Sequence, residues 1–291
     1  MASRKNFPAW LKRRIPPGGH AGRVRELLAD LKLNTVCQSA LCPNLGECFG
    51  AQTATFLIMG SVCTRNCRFC AIPGGTPAPL DPDEPRRIAE AARRLKLKHV
   101  VITSVTRDDL PGGGASHFVA TVREIRTATD ASVEILTPDF LGVKQNILVA
   151  ANCAPEIFNH NVETIPRLYE SIRPMADYRR SLDLLQLVKN SRPGILTKSG
   201  FMVGLGETGK EIELLLRDLR GAGCDIVTIG QYLQPSPGHL PVERFVHPDE
   251  FEEYRLLAEE FGFSGVASGP YVRSSYNARK IFEAIRERRH P

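Results

Sequence analysis

Three cysteines, Cys63, Cys67 and Cys70, form the pattern C-x3-C-x2-C within the segment Cys-Thr-Arg-Asn-Cys-Arg-Phe-Cys. Three thiolates on so short a loop can bind three irons of a four-iron, four-sulfur cluster and leave the fourth iron open to a substrate or cofactor. A structural zinc site would instead need four ligands in a closed tetrahedron. The spacing therefore predicts an iron–sulfur centre with an open position, with a zinc site as the weaker alternative.

A second triplet, Cys37, Cys42 and Cys48, has the spacing C-x4-C-x5-C, which matches no generic zinc motif. Six of the eight cysteines thus lie between residues 37 and 70. Such clustering in a chain without a recognisable secretory signal favours metal binding over disulfides, and a second cluster is the simplest interpretation. The remaining two cysteines are expected to be buried free thiols: Cys153 and Cys224.

The elements that must position these cysteines follow a regular rhythm in which short apolar runs alternate with amphipathic stretches. Six strand–helix units fit the chain, which indicates an α/β fold with a parallel sheet, a partial (β/α)6 TIM-like barrel rather than the closed barrel of eight. One helix is predicted to begin at a capping box of Thr208 and Glu211. Strands are predicted at 54–59, 99–105, 132–136, 157–161, 195–203 and 225–231, with a short extra strand at 264–270.

Polar residues and glycines follow several of these strands, at the end where parallel α/β folds build their sites. The first cysteine motif directly follows the first strand, so it lies at the same end. The other groups have a structural alternative, as turn residues and caps, beside the functional one of binding a cofactor. They are Thr103 and Ser104 at the end of the second strand, Asn159, Asn161 and Glu163, which end or follow the fourth, and Gly204, Gly206 and Glu207 after the fifth.

Composition narrows the class of protein. The chain of 291 residues is 42% hydrophobic and 24% charged, which excludes wholesale disorder. No apolar run approaches the roughly 18 residues of a membrane span, so neither a membrane nor an export route is expected and the compartment is predicted to be the cytoplasm. The net charge of +6 is too small to indicate nucleic acid by itself. Residues 1–25 hold seven Arg or Lys and no acid, which predicts either a solvated arm or a docking surface for an acidic partner that includes Lys12, Arg13 and Arg14.

The C-x3-C-x2-C motif after the first strand of a six-unit α/β chain resembles the radical S-adenosylmethionine superfamily. The resemblance implies that the open iron chelates the methionine moiety, that the reduced cluster cleaves the sulfonium, and that a 5′-deoxyadenosyl radical removes hydrogen from an unactivated carbon. Within the superfamily, the second triplet and Arg273-Ser-Ser-Tyr276 resemble the lipoyl synthase family over essentially the whole chain. Further matching motifs are Thr55–Gly60, Ile102–Leu110, Phe158–Thr164, Met202–Glu207, Gln231–Ser236 and Gly269–Tyr276.

The family resemblance implies an enzyme that inserts two sulfur atoms at carbons 6 and 8 of a protein-bound octanoyl-lysine, with two S-adenosylmethionine molecules consumed. It implies two 4Fe–4S clusters, one on Cys63, Cys67 and Cys70, and an auxiliary, sulfur-donating one on Cys37, Cys42, Cys48 and a serine of the Arg-Ser-Ser-Tyr motif. Ser275 is favoured as that ligand, and spacing alone leaves Ser274 open. The strand-end residues named above would then line the S-adenosylmethionine pocket.

The same resemblance predicts three segments and two kinds of partner. Residues 1–53 would carry the basic arm and the auxiliary cysteines, 54–262 the barrel, and 263–291 a C-terminal extension. The partners would be an octanoylated lipoyl-carrier protein domain and an electron donor such as ferredoxin or flavodoxin, with no nucleic acid. Two alternatives remain at this level: another radical sulfurtransferase or methylthiotransferase, and a zinc-stapled nucleic-acid-binding protein.

Overall fold

The computed structural model describes residues 7–12, 19–39, 42, 44–50 and 55–289. Its strands belong to a mostly parallel sheet, with strand order following chain order. Only β1 is antiparallel to its neighbour among the pairs described, with Asn34 opposite Leu57. The strands are β1 (Asn34–Thr35), β2 (Thr55–Ile58), β3 (His99–Ser104), β4 (Ser132–Leu136), β5 (Ile157–Asn159), β6 (Leu196–Val203), β7 (Ile226–Gln231) and β8 (Gly265–Gly269).

Helices follow each of the strands β2 to β7, so the prediction of six strand–helix units and an extra strand is confirmed. The predicted capping box is also present, because Thr208 accepts a bond from the Glu211 amide (3.3 Å) and the Glu211 carboxylate accepts one from the Thr208 amide (2.9 Å). The helices are α1 (Gly19–Asp30), α2 (Val36–Ser39), α3 (Leu45–Gly50), α4 (Glu84–Arg94), α5 (Ala115–Ala128), α6 (Lys144–Asn152), α7 (Tyr169–Ile172), α8 (Tyr178–Ser191), α9 (Gly209–Gly221), α10 (Pro248–Glu260) and α11 (Ala278–Arg289).

The described chain forms two compact units. The first unit contains residues 70–158 and the described part of 14–66; the second contains residues 67–69, 159–289 and 7–12. Strands of both units are buried on both faces, as continuous apolar runs in a parallel sheet predict. The core of the first unit includes Phe56, Ile88 and Phe118, and that of the second includes Leu216, Ile229 and Phe251.

The segment between residues 26 and 53, which has no clear periodicity in the sequence, is more regular than expected. Here β1 pairs with β2, and the short helices α2 and α3 follow it. The amide of Gln38 donates to the Thr35 hydroxyl (3.3 Å), which caps α2. Elements of two, four and six residues are too short for periodicity to reveal.

The basic arm is described only in part, and Arg13 and Arg14 lie outside the described residues. Residues 7–12 of the arm pack within the second unit, where the Trp10 ring lies 4.8 Å from the His247 ring and the Phe7 ring 5.5 Å from the Phe245 ring. None of the helices in the described ranges combines the length and apolar character that a membrane span requires.

Candidate iron–sulfur sites

The loop that carries Cys63 begins at a clamped turn. Met59 and Gly60, directly after β2, have φ of 67° and 97°, in the left-handed region that costs a non-glycine residue about 1–2 kcal/mol. The Met59 amide donates to the Glu84 carboxylate (2.8 Å), and its carbonyl accepts from the Arg107 guanidinium (3.2 Å). Glu84 is itself held by His117 at 2.7 Å. Buried charged groups on both backbone polar groups of Met59 thus fix the direction in which the cysteine loop leaves the sheet.

Two backbone amides point at the sulfur of Cys63. The Arg65 amide donates to Sγ at 3.4 Å and the Thr106 amide at 3.3 Å. The loop is closed on itself, because the Cys63 amide donates to the Pro73 carbonyl and the Gly75 amide to the Cys63 carbonyl, both at 2.9 Å. Hydrogen bonds to sulfur are a feature of iron–sulfur ligation, so Cys63 fits that role.

Residues 67–69 of the motif pack within the second unit. The Arg68 amide donates to the Ile172 carbonyl (2.9 Å), and the Arg68 carbonyl accepts from the Leu240 amide (3.3 Å). Phe69 packs against a cluster of buried side chains that consists of Ile172, Leu205 and Tyr232. The phenylalanine before the third cysteine is therefore an anchor that holds the loop down, while Cys67 and Cys70 on either side are half-buried.

The second triplet brings three thiols into electrostatic range of one another. Burial, together with the neighbouring thiolate of Cys42, raises the pKa of Cys37 to about 11. Burial and the charges of Cys37 and Cys42 raise the pKa of Cys48 to about 12. The Cys42 amide donates to the Cys37 carbonyl (3.2 Å), which joins these two residues directly. Cys37 is buried and Cys48 half-buried, and a thiol whose pKa is raised in this way ionises when it binds a positive metal centre, which suits an iron–sulfur cluster.

Neither triplet resembles a single-ion site. Among the described residues, no three Cys, His, Asp or Glu side chains converge on one point as a mononuclear metal requires. A four-iron cluster places each thiolate on a different iron, so its ligands need not converge in that way. The zinc alternative, which needs four gathered ligands, has no support in the described side chains. Cys153 and Cys224 are free as predicted; Cys224 is buried, whereas Cys153 is only half-buried.

The two hydroxyl groups at the end of β3 differ in their hydrogen bonding. The Thr103 hydroxyl donates to the Leu136 carbonyl at 2.9 Å, so it links β3 to β4. The Ser104 hydroxyl is buried and has no hydrogen-bond partner among the described residues. A buried polar group without a partner is costly, and a bound ligand would supply one.

In the second unit, Asn161 joins two segments that are 113 residues apart. Its Nδ2 donates to the Ser274 hydroxyl (2.5 Å) and to the Glu163 carboxylate (3.0 Å), while its Oδ1 has no partner among the described residues. Glu163 has a left-handed φ of 65°, and burial raises the pKa of its carboxyl, against the charge of Arg173. The side chain of Asn161 is thus fixed, with one acceptor left available.

A glycine turn follows β6. Gly204 and Gly206 have φ of 95° and 101°, and the buried Glu207 carboxylate accepts from the amides of Gly204 (2.6 Å) and Leu205 (2.9 Å). A Cβ on Gly204 would lie 2.1 Å from Nε2 of Gln231. Glycine is therefore required here by the protein's own packing, and both oxygens of Glu207 are engaged in holding the turn.

The Arg-Ser-Ser-Tyr segment precedes α11 as a pair of tight turns. The Tyr276 amide donates to the Arg273 carbonyl (2.9 Å), and the Ala278 amide to the Ser275 carbonyl (3.3 Å). The Ser274 hydroxyl lies against the backbone of β6, because a Cβ on Gly200 would be 3.3 Å from it. The structure brings Ser274 together with Asn161, a pairing for which the sequence contains no signal.

Three comparisons with known proteins agree with this architecture. The model of the radical SAM superfamily matches residues 57–219. The solved structure of a methylornithine synthase superposes with a TM-score of 0.54 over 85% of this chain and 81% of that one, at 16% identity, which shows the fold. The predicted partial barrel is confirmed by this likeness together with the strand order.

Close relatives share nearly the whole chain. A lipoyl synthase of Caldanaerobacter subterraneus subsp. tengcongensis is 57% identical over 93% of this chain and 95% of its own length. One from Chlorobium limicola is 54% identical over 97% of both chains. The protein therefore belongs to the lipoyl synthase family of the radical SAM superfamily, enzymes that use S-adenosylmethionine and two 4Fe–4S clusters to insert two sulfur atoms into a protein-bound octanoyl chain.

Proposed function

We propose that the two cysteine triplets of this lipoyl synthase have separate tasks. Cys63, Cys67 and Cys70 would hold the cluster that binds S-adenosylmethionine, and Cys37, Cys42 and Cys48 the auxiliary cluster. When bound, the first cluster supplies the electron that cleaves S-adenosylmethionine, and the second supplies sulfur to the octanoyl chain. The observation that supports two separate tasks is that the two triplets have different surroundings. Two backbone amides donate to the sulfur of Cys63, whereas burial and the charges of neighbouring thiolates raise the pKa values of Cys37 and Cys48.

The residues around Cys63 hold its sulfur in place. The Thr106 and Arg65 amides donate to Sγ, and the clamped turn at Met59 sets where the loop starts. A preorganised ligand loop keeps its geometry while the reaction proceeds, which is the contribution expected of protein groups around a cofactor.

The auxiliary thiols are prepared differently. In the apoprotein, Cys37 and Cys48 are protonated at neutral pH, since their pKa values of about 11 and about 12 lie far above it. Iron binding must therefore release protons, and the affinity of this site for iron should fall as the pH is lowered.

Ser275 is our proposed fourth protein ligand of the auxiliary cluster. Ser274 accepts a 2.5 Å hydrogen bond from Asn161, an arrangement that suits an anchor for the segment. An oxygen ligand is a poorer match to cluster iron than a thiolate, so this ligand would be the easiest to release.

Two buried polar atoms are candidates for hydrogen bonds to S-adenosylmethionine. Ser104 Oγ and Asn161 Oδ1 are buried and lack partners among the described residues. Thr103, Glu207 and Gly204 have engagements within the protein, and we propose that they shape the walls of the cofactor site. The assignments of Asn159, Glu163 and Gly206 to the same site remain predictions.

The experiment that tests the division is iron and sulfide analysis of anaerobic protein. The wild type should contain about eight irons, and a Cys37→Ala, Cys42→Ala, Cys48→Ala variant about four. The variant should still cleave S-adenosylmethionine but make no lipoyl product from an octanoyl-lysyl peptide. A Cys153→Ala, Cys224→Ala variant, which removes thiols outside both triplets, is the control. Equal iron contents in the wild type and the triple variant would contradict the proposal.

The family acts on octanoylated lipoyl-carrier proteins. We propose in addition that ferredoxin or flavodoxin supplies the electrons, that the enzyme works in the cytoplasm without nucleic acid, and that residues 1–53, 54–262 and 263–291 act as auxiliary-cluster segment, barrel and C-terminal extension. The basic arm would steer an acidic carrier domain. Changing Lys12, Arg13 and Arg14 to Glu should raise KM for the carrier but leave turnover of a short octanoyl-lysyl peptide unchanged; an equal effect on both substrates would assign the arm to folding.

A further inference from the structure

Arg65 lies inside the cysteine loop, between Cys63 and Cys67, and is buried. Its side chain is only 4% exposed and reaches two carboxylates. Nε and Nη2 contact Asp108 at 2.7 and 3.0 Å, and Nη2 contacts Asp139 at 2.5 Å. Arginine is seldom buried so deeply unless it is paired, and the two-pronged contact with Asp108 is the geometry that guanidinium favours.

The two carboxylates come from different strand ends. Asp108 belongs to the segment after β3, and Asp139 to the segment after β4, where its carboxylate also accepts from the Leu141 amide (3.1 Å). One guanidinium on the loop after β2 therefore connects the ends of three successive strands. The side chain of Arg65 thus fixes the cysteine loop against the segments that follow β3 and β4.

A second set of bonds connects this network to the sulfur itself. The Thr64 hydroxyl accepts from the Asp108 amide (3.1 Å), and the Thr64 amide donates to the Thr106 carbonyl (3.0 Å). The amide of Thr106 is one of the two donors to Cys63 Sγ, and the amide of Arg65 is the other. Movement of Asp108 or Arg65 would therefore move both donors to the sulfur.

The charges of the network do not cancel. One guanidinium faces two carboxylates, of which Asp139 is fully buried and Asp108 is 18% exposed. Counted over these three side chains, the formal charge beside the loop is one negative unit. Negative charge near an iron–sulfur cluster disfavours the addition of an electron and lowers the reduction potential.

We propose that Arg65 is a positioning residue that, with Asp108 and Asp139, fixes Cys63 at its cluster and holds the reduction potential of that cluster low. The proposal rests on the assignment of Cys63, Cys67 and Cys70 to the cluster that binds S-adenosylmethionine.

The test is a redox titration of the anaerobically prepared, full-length holoenzyme, followed by electron paramagnetic resonance. The signal to follow is the one that changes when S-adenosylmethionine is added, since it reports the cluster with the open iron. Asp108→Asn is the main variant, because its partial exposure lets solvent accommodate the amide. Arg65→Lys and Arg65→Gln form a charge-conserving and charge-removing pair, and Glu90→Gln, which removes an exposed acid bound to Arg93, is the matched control. Iron per chain and melting temperature accompany each titration.

Asp108→Asn should keep the wild-type iron content and raise the midpoint potential, whereas Glu90→Gln should leave it unchanged. Arg65→Gln should lower the potential and broaden the signal, with Arg65→Lys between it and the wild type. The proposal is overturned if Asp108→Asn has the wild-type potential and spectrum, or if the Lys and Gln variants behave alike. If the wild type itself shows no signal that responds to S-adenosylmethionine, the cluster assignment fails instead.

Discussion

Alanine substitutions at Ser274 and Ser275 should have different effects, because we assign Ser274 as an anchor of its segment and Ser275 as a ligand of the auxiliary cluster. The hydrogen bond from Asn161 to Ser274 is 2.5 Å long, and Asn161 is 8% exposed, so Ser274→Ala leaves one of the two N–H groups of this buried amide without its acceptor. The loss of one partner of a buried hydrogen bond costs about 1–3 kcal/mol. Each kcal/mol corresponds to roughly 2–4 °C in Tm for proteins of 150–250 residues.

Ser274→Ala should therefore lower Tm by several degrees and leave iron content unchanged, and Asn161→Ala should have a similar effect. Because both variants break the same bond, the double variant should cost less than the sum of the single ones. Ser275→Ala should instead change the spectrum of the auxiliary cluster and abolish sulfur insertion, while cleavage of S-adenosylmethionine continues. Thermal unfolding, iron analysis and Mössbauer spectra measure these effects. An auxiliary-cluster spectrum altered by Ser274→Ala and unaffected by Ser275→Ala would refute the reasoning and make Ser274 the ligand.

Three further predictions concern packing and pH. Gly204→Ala should unfold at a markedly lower temperature than the wild type, since its Cβ would overlap a side-chain amide, whereas Gly194→Ala, with open space around it, should not. Glu84→Gln should release iron faster on chelation because it weakens the clamp on the cysteine loop; a rate equal to that of Glu90→Gln would contradict this. Burial raises the pKa of Cys224 to about 12 from 9.0, so the folded state favours the thiol, and this stabilisation is complete below about pH 9 and lost as pH rises toward 12. Denaturant unfolding should therefore show that the wild type exceeds Cys224→Ala in free energy of unfolding by less at pH 10 than at pH 8. The same difference in free energy at both pH values would contradict the prediction.

The spacing of the cysteines and the alternation of strands and helices are local properties of the chain, and both were predictable. Cys63 follows β2 as expected, and the capping box at Thr208 begins α9 where the sequence indicates. These features need only the chemistry of neighbouring residues and the periods of helix and strand.

The left-handed turns were not predictable in the same way. Met59 and Glu163 have side chains that disfavour a positive φ, so the sequence gives no reason to expect one there. Each conformation is imposed by distant partners, as the carboxylate of Glu84 and the guanidinium of Arg107 show at Met59. Such strain persists only where the surrounding structure fixes it.

By itself, the sequence determined the type of chemistry: two thiol triplets, a parallel α/β scaffold and the strand end that carries the first motif. Only the tertiary structure decided which side chains support those ligands. Arg65 pairs with carboxylates 43 and 74 residues away, and Asn161 with a serine 113 residues away. These contacts exist because strands far apart in the chain end side by side, and no local pattern records which side chains then meet.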